Sequence, residues 1–245
     1  MSLDGTAVQA LRASFAQPLQ FEQKPGSAAI LPAGWTATTK PFSKVGGLAL
    51  HTLTGLADFV SAGVDELPSK KQILVKDERS VILFGALEGE DVEFRRQSFA
   101  WCSADECGFP FGKMLEHEQF VIALQTMFAR DPVRDELLAL VSKISESQVR
   151  ESNDDGVGQQ VVVQRGVTTV GAVKLPNPVT LKPWRTFREV DQPASLFVLR
   201  AKAGGEMPSL GLFEADGGSW KLEAINSIAE WLRKNAALKG IPVIA

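Results

Sequence analysis

Residues 157–216 constrain this chain most, because almost all of that stretch reads as strand and turn. Val161, Val162 and Val163 form a β-branched run, and Val167, Thr168, Thr169 and Val170 follow after Arg165 and Gly166. Four more short runs come next, at residues 179–181, 184–190, 196–200 and 210–213. Gly, Pro or Asp bounds each run, which is the punctuation of an antiparallel meander.

Around that stretch the periodicity is helical as often as extended. Leu53, Leu56, Phe59, Val60 and Val64 share one helical face over residues 50–64, and Thr52 or Thr54 is placed to cap it. Residues 72–75 and 80–87 flank Asp77, Glu78 and Arg79 and read as a hairpin, and residues 90–101 continue it less cleanly. A helical pair follows. Phe120, Val121, Leu124, Met127 and Phe128 form the first stripe, Asp131 and Pro132 separate the two, and Leu137, Leu138, Val141 and Ile144 form the second. Leu222, Ile225, Ile228, Ala229 and Leu232 mark a last helix, with Ser219 as its cap and Gly240 as its terminator. The expected class is therefore α+β, an antiparallel meander with helices packed on it.

The expected organisation is an N-terminal arm over residues 1–26 and one α+β domain over 27–245, with a sub-boundary possible near 146–157. A short helix from Thr6 to Phe15 opens the arm, and Pro18 and Pro25 then frame Leu19 and Phe21 with few local partners. The hairpin over 72–101 and the 157–213 stretch are expected to share one core and form a single folded unit. At 44% hydrophobic and 22% charged, the chain can bury a sizeable core. It has no apolar run long enough to span a bilayer and no basic-then-apolar leader. Those features point to a cytoplasmic protein with no membrane partner.

Several chemistries lack support. The chain has no G-x-S-x-G elbow, no G-x-x-x-x-G-K-[ST] loop and no G-x-G-x-x-G loop. Cys102 and Cys107, the only cysteines, are loosely spaced for a zinc knuckle, lack the C-x-x-C spacing of a redox pair, and have only His117 and Glu116 nearby. The acidic cluster Glu88, Glu90, Asp91 and Glu93 reads as a solvated hairpin end. Neither a catalytic residue nor a cofactor is expected, and the protein is read as not an enzyme.

The order of the segments carries a likeness. An LPAGW turn precedes the LHTLTGLADFV helix, a hairpin, HEQFVIALQTMF, VKLPNPVTLKPWRTF, FVLRA, LGLFEAD and a last helix. This layout resembles the YfdQ-like proteins of phages and prophages, a family whose domain has no assigned function. The resemblance implies a phage-encoded protein in the cytoplasm of a bacterial host, and it supplies no catalytic residues.

Two functional expectations follow. The first is a homo-oligomer, a self-assembling protein whose arm (Leu19, Phe21) and C-terminal tail (Ile241, Val243, Ile244) are covered by neighbouring subunits. The alternative is a nucleic-acid-binding accessory factor of phage replication or recombination. Arg95 and Arg96 lie together, and Lys182, Trp184, Arg185, Phe187 and Arg188 interleave cations with aromatics as single-strand binders do. A net charge of −3 weighs against that alternative.

Overall fold

The computed structural model describes residues 5–6, 8–10, 46–87, 96–106, 108–145, 148–154, 159–165, 168–202 and 208–245. Gly5, Thr6, Val8, Gln9 and Ala10 are helical. Residues 45–86 and 97–245 form one unit, and the following description is of that unit.

Consecutive apolar runs build its first sheet. Ile73, Leu74 and Val75 lie in β2 (Lys71–Asp77), and Val81, Ile82, Leu83 and Phe84 lie in β3 (Ser80–Gly85). The two pair antiparallel about the Glu78–Arg79 turn, as the hairpin reading expects, and β4 (Ser98–Ser103) pairs antiparallel with β3. Short parallel strands close both sides, β1 (Leu48–Leu50) on β4 and β12 (Val243–Ile244) on β2.

Helix α1 (Leu53–Ala62) packs on this sheet. Thr52 caps it by accepting from the Gly55 N–H at 3.0 Å, and Gly63 ends it in the left-handed region at φ 61°. Leu53 and Leu56 are buried as expected, but Val64 falls beyond the helix and stays 79% exposed. The last helix, α4 (Trp220–Lys234), completes the layer with Ile228, Ala229 and Leu232. It stops at Asn235, well before Gly240, because the Asn235 side chain turns back to accept from the Ala237 N–H and starts a short 3-10 turn. Ser219 precedes α4, but its side chain makes no capping hydrogen bond.

A second core belongs to another sheet. Strand β5 (Leu115–Glu116) pairs with β11 (Ser209–Glu214), which pairs with β10 (Ser195–Lys202), which pairs with β9 (Val179–Leu181), all antiparallel. Helices α2 (His117–Thr126) and α3 (Pro132–Ser145) are the expected pair. Pro132 opens α3, and the Asp131 carboxylate accepts from the Arg134 N–H at 2.8 Å. Phe120, Leu124, Phe128, Leu137 and Val141 pack against Phe197, Leu199, Leu210 and Leu212. Strands β6 (Gln148–Asp154), β7 (Gln159–Arg165) and β8 (Thr168–Lys174) form a separate antiparallel sheet.

The fold class is α+β, as read from the sequence, with three departures. The 157–216 stretch does not form one meander but divides between two sheets. The hairpin and that stretch lie in one unit but share a core only through Phe187 and Val190. The hairpin packs with α1 and α4, while β9, β10 and β11 pack with α2 and α3. Finally, residues 184–190 are not a strand. Arg185, Thr186 and Phe187 are buried in succession, which an alternating strand cannot do on a half-solvated sheet.

Candidate functional site

The loop over residues 182–194 runs from one core to the other and decides what becomes of the basic–aromatic cluster. Gln192, itself buried, holds its shape. The Gln192 Oε1 accepts from the N–H groups of Arg185 (3.0 Å) and Thr186 (3.2 Å), and its Nε2 donates to the carbonyls of Phe187 (3.0 Å) and Val190 (3.3 Å). Thr186 donates its hydroxyl to the Glu78 carbonyl in the hairpin turn at 2.6 Å. Thus held, the loop inserts Phe187 and Val190 into the core under the five-stranded sheet.

Arg185 turns the other way. Its guanidinium donates to Glu214 Oε1 at 2.6 Å and to the Ser195 hydroxyl, and its carbon lies 3.7 Å from the centroid of the Trp220 ring. Asp216 completes the cluster. Burial raises the Asp216 carboxyl, but hydrogen bonds from the Ser195 side chain and the Gly218 N–H, with the Arg185 charge, outweigh it and hold the group below the usual carboxylate range. Arg185 therefore ties the loop to the ends of β10 and β11 and to the first residue of α4. It is not presented to solvent as a strand binder of nucleic acid requires.

The remaining members of that candidate set are dispersed. Lys182 is exposed just after β9, and Arg188 is exposed with its guanidinium 4.2 Å from the half-buried Trp184 ring. Arg96 is exposed, while Arg95 lies outside the described residues.

The cysteine and histidine candidates separate too. Cys102 is buried under the five-stranded sheet, its thiol donating to the Thr52 carbonyl at 3.5 Å. Burial first, then the charge of Glu189, pushes that thiol up to about 12. His117 is buried in the other core, with Nε2 3.0 Å from the Val141 carbonyl. Cys107 lies outside the described residues, and among the described residues no group of three His, Cys, Asp or Glu side chains is placed to hold a metal.

Of the self-association candidates, Leu19 and Phe21 lie outside the described residues. The tail pairs within its own chain. Val243 and Ile244 register with Ile73 and Leu74, the Ile73 N–H donates to the Pro242 carbonyl at 2.9 Å, and Ile241 and Val243 are half-buried against the core. A subunit edge is therefore not needed to cover Ile241 and Val243.

A different surface emerges from the register. Ile73, Val75, Val81, Leu83, Ala100 and Cys102 point at the helices and are buried. On the opposite face, Ile244, Leu74, Ile82, Trp101 and Ala49 fall in one row that crosses all five strands. Gln72, Phe84 and Ser98 form the neighbouring row. Neither row holds a charge, and Trp101 and Ile244 remain 40% and 45% exposed. Sequence reading passed over this face because the row appears only once five strands are in register. One signal was present: β2 and β3 are apolar at successive positions, the pattern of strands covered on both faces. Comparison of the chain with protein-family models, with curated proteins and with solved structures gives no match.

Proposed function

We propose that this chain is a non-enzymatic protein that associates with copies of itself through the outer face of its five-stranded sheet. The observation that supports this reading most is the uncharged row Ile244–Leu74–Ile82–Trp101–Ala49, half open to solvent on strands whose sequences suit burial on both faces. Two copies placed face to face about a two-fold axis would meet apolar side chain to apolar side chain, with no like charges opposed. The polar cluster of Arg185, Ser195, Glu214 and Asp216 is consistent with a structural role, since its members are engaged with one another.

The size of the face sets the strength. Five strands spaced by about 4.8 Å, three of them six or seven residues long and the two edge strands three and two, give a face of at most about 400 Å². That is roughly half of the ~800 Å² each partner contributes to a standard interface. The face alone gives a weak, concentration-dependent contact, and the Leu19–Phe21 arm is the segment proposed to strengthen it. The resemblance to the YfdQ-like layout supports reading such an assembly as phage- or prophage-encoded and active in the cytoplasm of a bacterial host.

Light scattering over a range of concentrations tests the proposal. The weight-average mass should rise above 26.5 kDa with concentration. A mass fixed at the monomer value, in a sample that shifts single-stranded DNA on a gel, would transfer support to the nucleic-acid alternative.

A further inference from the structure

At the start of β2 lies a second surface, which shares Gln72 with the edge of the sheet face. Ser69 and Lys70 before β2, Lys71 and Gln72 at its start, Ala86 just after β3 and the turn over residues 239–242 surround an open cleft of ≈ 470 Å³. Lys70, Lys71 and Lys239 are among its lining residues, and among the described residues no carboxylate lines the space. In a chain of net charge −3, that is a local reversal of sign. Lys70 and Lys239 are exposed, and neither pairs with an acid among the described residues. The Lys71 ammonium is engaged only by a long bond to the Pro68 carbonyl, at 3.4 Å.

The lysines stand on anchored backbone. The Ala86 N–H donates to the Lys70 carbonyl at 3.1 Å, and the Ile73 N–H donates to the Pro242 carbonyl at 2.9 Å. The Lys239 N–H donates to the Ala236 carbonyl at 3.3 Å, and Gly240 makes the reversal at φ 87°. Ser69 and Gln72 add neutral donors to the lining. Lysines that line one concave surface raise its local positive potential and so attract an anion. Ammonium groups act as point charges without the planar fork that matches a single carboxylate, so they suit phosphate oxygens in any orientation.

We infer that this cleft binds the oxyanions of a ligand carrying two or more linked phosphates. Its volume exceeds what one orthophosphate fills, and its lysines come from two segments distant in sequence. A free polyphosphate compound and the backbone of a single-stranded nucleic acid share this chemistry.

Isothermal titration of the full chain with inorganic tripolyphosphate at low ionic strength tests the site. Saturable binding at one site per chain is expected, and it should weaken steeply as salt shortens the screening length. The K70A/K239A variant should lose roughly tenfold or more in affinity, by removal of two of the three charges, while K182A should bind as the wild type does. Both substituted positions of the double variant are exposed, and an unchanged thermal midpoint checks that it is folded. A mixed-sequence single-stranded oligonucleotide then identifies the source. If it competes with tripolyphosphate, and K70A/K239A weakens both, the site takes a phosphodiester backbone; if it leaves tripolyphosphate binding unchanged, the site takes a free polyphosphate. Absence of saturable binding, or equal affinity in the wild type and K70A/K239A, would overturn the inference.

Discussion

A buried guanidinium is tolerated when its charge is balanced, and Arg185 has that balance through contacts to three elements, with Nη1 and Nη2 both donating. Glu214 supplies the charge, Ser195 an acceptor and Trp220 a stacking surface. Arg185→Ala leaves that space empty and should cost about 3 kcal/mol in urea unfolding, the lower end for a broken buried pair because the Glu214 side chain is 41% exposed. Arg185→Lys should recover only part, since a lysine cannot reach two acceptors and stack at once. Asp216 sets a pH dependence. Its folded pKa lies below the unfolded value, so its contribution is complete above about pH 4 and is lost as pH falls through the folded value. Asp216→Asn should flatten the acid side of the stability profile. Cys102 acts at the other end. Its folded pKa is raised to about 12, so its neutral form favours the fold below the ordinary thiol range, and that contribution fades as pH rises towards about 12. In a Cys107→Ser background, the remaining thiol should resist a disulfide reagent at pH 8 until denaturant is added. Rapid labelling of the native protein would contradict its burial.

Among the elements, those with local signals were legible and those made by distant pairing were not. The Thr52 cap and Gly63 stop of α1, the turn between β2 and β3, and the Asp131–Pro132 start of α3 can each be read within a few residues. Residues 184–190 misled because alternating cations and aromatics look extended, whereas Gln192 folds them into a loop through four hydrogen bonds. The parallel edges β1 and β12 are too short to signal themselves, and their partners lie about fifty and one hundred and seventy residues away. Pairing of β12 within its own chain gives a discriminating prediction. Removing residues 242–245 deletes the acceptor for the Ile73 N–H and the half-buried Val243, and should lower the thermal midpoint equally at low and high protein concentration. A loss that depends on concentration would instead place the tail between subunits. Gly211 gives another. A Cβ there would lie 2.7 Å from the Lys113 carbonyl oxygen, so Gly211→Ala should force the residues before β5 off β11 and destabilise by about 1–3 kcal/mol in urea unfolding.

Within the 45–86 and 97–245 unit, two cores joined by the 182–194 loop leave the far face of the five-stranded sheet uncharged along two rows and partly exposed at Trp101 and Ile244. Composition could not place it, since 44% hydrophobic residues are enough for either a closed monomer or an associating one. Deleting residues 1–26 should weaken association without abolishing it, because the sheet face remains. The most direct measurement is sedimentation equilibrium of the wild type beside an Ile82→Lys/Trp101→Lys double variant. These two side chains are adjacent in register at the centre of the row, and two lysines there would set like charges against each other in any face-to-face pair. The wild type should show a mass that increases with concentration, and the folded double variant should remain at 26.5 kDa. An assembly that persists unchanged in the double variant, or a wild type that never leaves the monomer mass, would contradict the sheet face as the surface of self-association.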